Sequence, residues 1–210
     1  MLPGQEIDIQ VKESRLKGDS NVVLGNRVSL KADSKLAVAG YKRESSAALS
    51  PARLDPTLLG ELRERPDRAF LDGVPGGEDI FLKRKFLNTS NAKNFLSGSL
   101  VEQSDYIDEL AEKIHFPEMF PCALLSCALL ERVWQEGHDF EKEPMVYKSH
   151  SISVDREYLG RARSNDVLHL LSRHVDPVAA TPSYDCFGIT GNGEVLFSAR
   201  IELMPLALQR

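Results

Sequence analysis

The chain is poor in several features that mark whole classes of protein. Its 210 residues include three cysteines and one tryptophan, and its formal net charge of -5 gives no excess of basic residues. A nucleic-acid-binding protein needs a basic surface to neutralise phosphates, so the charge argues against that class of partner. No apolar run approaches the roughly 20 residues that cross a bilayer as a helix. We therefore expect neither a nucleic-acid partner nor a membrane span.

The few cysteines also indicate a redox environment. Their number is odd, and Cys122 and Cys127 share one apolar segment without a disulfide-like spacing. The residues from Met1 to Glu6 lack the charged and apolar regions of a secretory signal. These absences favour a cytoplasmic protein with reduced thiols.

Common metal and catalytic motifs are missing as well. His169 and His174 stand five apart on one predicted strand, so their side chains point to opposite faces and do not share a metal. Ser126 lacks the Gly-x-Ser-x-Gly context of a serine hydrolase. The segment 73–77 precedes no suitable helix, so we interpret it as a loop and not as a phosphate loop. We expect no metal and no cofactor.

The most informative segment is the apolar run from Cys122 to Leu130, which follows His115-Phe116-Pro117. A helix without a polar face must be enclosed, and a short one is usually enclosed by a sheet. Strand-like segments follow at about 145–158, 167–175, 183–190 and 194–205. The order predicts an α+β fold, with an antiparallel sheet wrapped around a helix at about 118–136 that ends near Gly137.

Earlier segments are predicted from alternation and turn residues. Alternating Ile7, Ile9 and Val11 predict a strand, and further strands are predicted at 22–24, 28–30 and 36–38, between turn signals at 17–19 and 24–26. A helix is predicted at 55–63. Beyond it we predict a strand at 80–87, a polar turn at 88–93, a strand at 95–104 and a short acidic helix or loop at 105–113.

Three local motifs resemble those of the hot-dog fold superfamily. His115-Phe116-Pro117 ahead of Phe120-Pro121 is similar to the His-Phe-x-Gly-x-Pro-x-x-Pro-Gly motif of 3-hydroxyacyl dehydratases of the FabA/FabZ type. Segments 158–166 and 193–200 are similar to the strand-turn and closing strand of the superfamily. The resemblance covers about 80–206 and implies a hot-dog domain at 79–210 that acts on acyl thioesters. Residues 1–78 would then be a β-rich extension, or a partial hot-dog, with a linker helix.

The sequence departs from the dehydratase motif at the positions that carry its chemistry. Both motif glycines are absent, with Glu118 and Cys122 in their places, and the family's helical carboxylate maps onto Cys127. Loss of water from a 3-hydroxyacyl thioester needs both a base and a proton donor, and a thiol is a poor donor. Glu131 lies one helical turn beyond Cys127 on the same face and is the alternative acid.

A second resemblance favours hydrolysis. Residues 104–108 followed by His115-Phe116 resemble a segment of the FcoT-like long-chain acyl-CoA thioesterases. Hydrolysis needs a positioned water, a base and hydrogen-bond donors for the oxyanion, which the start of a helix can supply. The resemblance implies that His115 and Asp108 act as the base or position the water. It implies a substrate-binding set of Tyr106, Phe116, Phe120, Cys122, Ala123, Leu124 and Leu125, with N–H groups near 120–123 as oxyanion donors.

We therefore expect an enzyme that hydrolyses acyl-CoA or acyl carrier protein thioesters in fatty acid or polyketide-type metabolism. A homodimer is expected, because hot-dog active sites lie between the helix of one copy and the sheet of another. Dehydration with His115 as base is the first alternative, and a non-catalytic acyl-binding module is the second. Non-catalytic interpretations also stay open for His115 as a turn residue, Cys127 as core, Glu131 as part of a solvated helix end and Glu118 as a helix-start charge.

Overall fold

The computed structural model describes residues 6–13, 22–46, 52–55, 74–77, 80–176 and 181–206. The chain forms two compact units, residues 1–49 and 50–210. The predicted division into an extension at 1–78 and a domain at 79–210 stays a prediction. The predicted helix at 55–63, from residue 56 onward, and the turn signal at 17–19 lie outside the described residues.

The first unit contains an antiparallel three-stranded sheet of β1 (Ile7–Glu13), β2 (Val22–Ala32) and β3 (Lys35–Ser45). Ile9 pairs with Leu30, and Leu30 pairs with Val38, so apolar side chains collect on one face. The strand predictions are confirmed, but the turn predicted at 24–26 is wrong. Gly25 pairs with Arg43 inside the ladder, because strand pairing outweighs the local turn preference of a glycine.

The second unit is built on a six-stranded antiparallel sheet. The strands of this sheet are β4 (Val74–Gly77), β5 (Ile80–Leu87), β8 (Met145–Val154), β9 (Asp166–His174), β10 (Ser183–Thr190) and β11 (Val195–Pro205). The two remaining strands, β6 (Ile107–Asp108) and β7 (Lys113–Ile114), form a separate hairpin. The order across the sheet is β4-β5-β9-β10-β11-β8. The loop predicted at 73–77 is wrong over 74–77, since this segment pairs with β5; its edge position accommodates Pro75, which has no N–H to donate.

One helix replaces a predicted turn and a predicted strand, and a hairpin lies where a short helix or loop was predicted. The turn predicted at 88–93 and the strand predicted at 95–104 are wrong, because α1 (Thr89–Gly98) occupies most of this segment. The Asn88 side chain accepts hydrogen bonds from the N–H groups of Ser90 and Asn91, and Ala92 and Leu96 bury one helical face. Residues 105–113 form neither a helix nor one loop, since the hairpin of β6 and β7 lies there.

The predicted central helix is confirmed as α2 (Phe120–Gln135), followed by Gly137 at φ +91°. Leu125 and Leu129 are buried in the core that α2 shares with Leu170 and Phe197 of the sheet. The expectation that the helix is enclosed on all sides is wrong for the single chain. Its open face is exposed to solvent because the sheet covers one side of the helix only, and this face consists of Ala123, Cys127, Leu130 and Trp134.

The predicted strand at 145–158 is also shorter than expected. It ends at Val154, and α3 (Arg156–Arg161) follows. The Asp155 side chain accepts hydrogen bonds from the N–H groups of Glu157 and Tyr158 and so starts the helix.

Both faces of the main sheet are apolar. Leu82, Leu171, Phe187 and Ile189 form a second cluster with Ala52, on the face of the sheet away from α2. The segment 52–55 therefore packs within the second unit.

The arrangement of the second unit defines its fold. Strands β4 and β5 precede the central helix, the four strands β8 to β11 follow it, and all six form one antiparallel sheet against which the helix packs. This is the α+β hot-dog fold, as predicted from the sequence.

Candidate active site

The hairpin before α2 brings Asp108 and His115 to the same side of the chain. Asp108 pairs with Lys113, and His115 lies two residues beyond Lys113 in the same extended segment. Side chains two apart in an extended chain share a side, so Asp108 and His115 are diagonal neighbours whose Cβ atoms are roughly 7 Å apart. The N–H of His115 donates to the carbonyl of Tyr106 at 2.8 Å and holds this geometry in place.

Both side chains of this pair remain accessible for chemistry. Oδ1 of Asp108 accepts from the N–H groups of Leu110 and Ala111 at 3.1 and 3.2 Å, which fixes the carboxylate in the hairpin turn. The imidazole of His115 is exposed to solvent. The carboxylate is thus bonded toward the turn of the hairpin, the imidazole lies at its other end, and no hydrogen bond joins these two side chains.

The start of α2 is built from aromatic packing. The Phe116 ring stacks on that of Phe120 at 5.6 Å, and Phe95 of α1 contacts Phe120 at 6.0 Å. The N–H of Phe120 donates to Pro117 and that of Ala123 to Met119, while Pro121 has no N–H. Of the four backbone positions 120–123 predicted to supply oxyanion donors, two have N–H groups that already donate within the chain, and a third is a proline without an N–H.

The predicted alternative acid, Glu131, lies elsewhere and is paired. Both of its carboxylate oxygens are 2.9 Å from Nζ of Lys83 on β5, and the two side chains are 27% and 15% exposed. Since α2 rises about 1.5 Å per residue, Glu131 is roughly 16 Å along the helix from Phe120. The structure does not bring it to His115.

The cysteines differ sharply in their surroundings. Cys127 is exposed on the open face of α2. Cys122 is buried, and desolvation raises the pKa of its thiol to about 12. Burial likewise raises the pKa of Cys186. Buried thiols of this kind are core residues and not nucleophiles.

The remaining predicted site residues divide by exposure. Four are buried in the core, namely Phe116, Phe120, Cys122 and Leu125. Tyr106 and Leu124 are partly buried, and Ala123 is exposed. Glu118 is paired with Arg156 at 2.6 Å, as suits a charge at the start of a helix. Only Tyr106, Ala123 and Leu124 of the predicted substrate-binding set therefore present accessible surface.

A group formed by two polar residues of β8 and one of α2 was not predicted from the sequence. The hydroxyl of Tyr147 donates to Oγ of Ser126 at 2.8 Å, and the His150 ring stacks on the Tyr147 ring at 5.5 Å. We call Ser126, Tyr147 and His150 the Tyr147 cluster. Desolvation raises the pKa of Tyr147 and lowers that of His150.

A β-bulge explains why alternation does not reveal this cluster. Tyr147 lies opposite Leu203 and His150 opposite Ile201, although Tyr147 and His150 are three positions apart along β8. Leu203 and Ile201 both belong to the core under α2. In a regular strand, Tyr147 and His150 would point to opposite faces, and the shift of register brings them to one face.

The C-terminal half of α2 is fixed by a buried arginine. Arg132 donates to the carbonyl of Ser172 and to Glu136, both at 2.7 Å, and its guanidinium lies 5.1 Å from the centre of the Tyr184 ring. Burial raises the pKa of Tyr184. This network holds the helix on the sheet and is far from the hairpin.

The residues described contain no group of three or more histidine, cysteine, aspartate or glutamate side chains that could hold a metal ion. In the same part of the chain, no helix combines the length and apolarity needed to span a membrane.

Comparisons with known proteins find similarity of structure only. No protein-family model and no curated protein matches the sequence. An (R)-hydratase from A. caviae involved in PHA biosynthesis is similar at a TM-score of 0.45 and 13% identity, over 63% of this chain and 98% of that chain. The HadBC (3R)-hydroxyacyl-ACP dehydratase complex from Mycobacterium tuberculosis is similar at a TM-score of 0.47 and 11% identity. The match covers 62% of this chain and 100% of that chain. A probable thioesterase from Bartonella henselae is similar at a TM-score of 0.41 and 13% identity. The match covers 62% of this chain and 99% of that chain.

Proposed function

We propose that this protein hydrolyses acyl thioesters carried on coenzyme A or acyl carrier protein. The observation that carries the proposal is the placement of Asp108 and His115 on one side of the hairpin that leads into α2. Hydrolysis requires one base, one positioned water and stabilisation of the oxyanion. In this proposal His115 is the base, and Asp108 on the same hairpin is the group that positions the water.

In the proposed reaction, the imidazole of His115 takes a proton from a water molecule that attacks the thioester carbonyl. Asp108 orients the imidazole or the water. A C–O bond forms, the C–S bond breaks, and the departing thiolate receives the proton from His115. The products are the free acid and the thiol of the carrier.

Hydration or dehydration of the acyl chain is the second candidate, because a carboxylate and an imidazole side by side also offer an acid and a base. The remainder of the helix argues against it. Position 127 is a cysteine, and the carboxylate of Glu131 forms an ion pair with Lys83. The helical acid that the dehydratase resemblance requires is therefore missing.

We further propose that the active form is a homodimer joined through β8. This strand is at the edge of the sheet and pairs with β11 on one side. Val146 on β8, Leu130 and Trp134 are all exposed. An edge strand that has no second partner among the described residues, beside an apolar surface, is a liability that a second copy would remove by continuing the sheet and covering the open face of α2.

Thiol release measured with DTNB tests the reaction. Saturated and 3-hydroxyacyl-CoA substrates of several lengths are offered to the wild type, to His115→Ala and to the control His138→Ala, which lies beyond the other end of α2. We expect release from saturated substrates, a loss of at least a hundredfold in His115→Ala, and no loss in the control. Conversion of the 3-hydroxyacyl substrate to an enoyl product without thiol release would establish dehydration instead. No conversion with any substrate would favour a binding module.

A further inference from the structure

Strand β8 turns five of its side chains toward the core under α2. Four of them lie opposite β11 residues of that core and the fifth lies opposite Pro205; in chain order they are Met145, Tyr147, His150, Ile152 and Val154. The register shift between Tyr147 and Ser149 keeps the series on one face. His150 is therefore the middle member, with two members of the series before it and two after it.

This series fixes the register of the proposed homodimer. A two-fold axis that continues the sheet through β8 pairs the strand with itself in antiparallel orientation, and side chains directly opposite each other share a face. Full-length pairing therefore matches the series with its own reverse. Met145 then meets Val154 of the second copy, Tyr147 meets Ile152 of the second copy, and His150 meets His150 of the second copy.

The three kinds of contact differ in what they bring together. The outer two join apolar or aromatic side chains, which gain from burial. The central contact joins two imidazoles, whose Cβ atoms would lie about 5 Å apart in such a pair. Like charges directly opposite each other in a sheet are destabilising, so a proton on each imidazole works against the pairing.

We propose that the two His150 side chains face each other across the two-fold axis of the homodimer, and that the dimer dissociates when they take up protons. The inference rests on the homodimer of the proposed function, and adds to it a register and a dependence on pH.

The charged side chains of the elements around His150 are paired with one another. Those of β8, β11 and α2 form three ion pairs, Lys148 with Glu202, Arg200 with Asp185, and Glu131 with Lys83. On the side of α2, Tyr147 is near the thiols of Cys127 and Cys186. None of these three groups is a carboxylate, so none of them offsets a proton on the imidazole.

The direction of the effect follows from solvent exposure. The His150 side chain is exposed in the single chain, and desolvation already lowers its pKa there. A second copy removes more water and adds a like charge, so the monomer binds the proton more readily than the dimer does. Dimer affinity should therefore fall as the pH drops below about 6.5, and remain level above it.

The first test measures the dimer dissociation constant by sedimentation velocity at pH 7.5, 6.5 and 5.5, at constant ionic strength, with circular dichroism at each pH. We expect it to rise about tenfold or more between the first and last pH in the wild type. In His150→Gln the rise should be less than about twofold, since the titrating group is removed. His138→Gln is the matched control, because this histidine precedes β8 and contacts Glu143, and it should behave like the wild type.

The second test checks the register by oxidative cross-linking in a Cys127→Ser background. His150→Cys places the two thiols directly opposite each other, within the distance that a disulfide bridges. Ser153→Cys is the control, because its two copies would lie roughly 20 Å apart along the paired strands. We expect a covalent dimer in the first variant and none in the second.

Equal pH dependence in the wild type and in His150→Gln would overturn the inference, and so would cross-linking at position 153 but not at position 150. A protein that is monomeric at every pH and cross-links at neither position would remove the proposed dimer, and this inference with it. Thiol release from acyl-CoA tests the proposed hydrolysis separately from both results.

Discussion

The two faces of α2 are alike in composition and differ in what they contact. Leu125 and Leu129 are buried against the sheet, whereas Leu130 and Trp134 are 52% and 66% exposed. Leu125, Leu129 and Leu130 all come from the apolar run Cys122–Leu130, so both faces draw on the same run. An apolar pattern in the sequence therefore shows that a helix face must be covered, but not by what. A face covered by the chain's own sheet stabilises the fold, whereas a face left open is suited to an interface.

The largest expected effect is on the buried face. Leu125→Ala removes a side chain that is 1% exposed, and should lower the free energy of unfolding by about 3 kcal/mol through lost burial and the cavity that remains. Leu130→Ala is the matched control and should cost less than about 1 kcal/mol in the monomer. Urea unfolding with tryptophan fluorescence measures both. Equal losses would show that the two faces are equally buried in solution.

The open face should control assembly more than folding. Leu130→Glu places a charge in the proposed dimer interface and should weaken dimerisation at least a hundredfold, because a buried unpaired charge costs about 3 kcal/mol or more. Sedimentation velocity over a range of concentrations measures the dissociation constant, and circular dichroism checks the fold. A dimer as tight as the wild type would place the interface elsewhere.

Between the two faces, the ion pair of Lys83 and Glu131 should have a moderate effect. Lys83→Ala leaves the carboxylate of Glu131 partly buried without this cation and should cost about 1 to 2 kcal/mol, reduced by its residual exposure. The double variant Lys83→Met/Glu131→Gln removes both charges and should recover most of the loss. Thermal unfolding of the three proteins tests this, and a double variant no more stable than Lys83→Ala would contradict it.

The smallest effect concerns pH at the edge of the open face. The pKa of His150 is lowered in the folded protein, so the unfolded chain binds a proton more readily. Stability should therefore fall as the pH drops below about 6.5, and remain level above it. In His150→Gln this decline should be shallower, because the group that takes up the proton is removed. Identical pH profiles of the two proteins would show that burial does not act on this imidazole.

The sequence predicts the elements whose signals are local. Helix α2 is bounded by Pro121 near its start and by Gly137 after its end. Gly193, at φ +79°, lies in the turn that joins β10 to β11. The alternating strands β5 and β11 are predicted for the same reason. By contrast, alternation in 95–104 suggested a strand, although the Asn88 cap and the spacing of Ala92 and Leu96 were local signals for α1.

The candidate site is predictable only where its members are close in the chain. Asp108 and His115 are joined by one hairpin, so the sequence places them together. Lys83 is 48 residues from Glu131, and its pairing depends on how the helix crosses the sheet. The Tyr147 cluster depends on a β-bulge in the pairing of β8 with β11 near Leu203. The local sequence pattern of β8 does not predict this bulge.

Asp108 and His115 should act as one unit in the proposed hydrolysis, and Glu131 should take no part in the chemistry. The most direct measurement is kcat/KM with a saturated acyl-CoA for Asp108→Asn, His115→Ala, the double variant and Glu131→Gln. We predict that the double variant loses little more than His115→Ala alone, because groups that act together are not additive, while Glu131→Gln stays within about threefold of the wild type. Additive losses from the first two changes, or a larger loss in Glu131→Gln than in His115→Ala, would contradict this account.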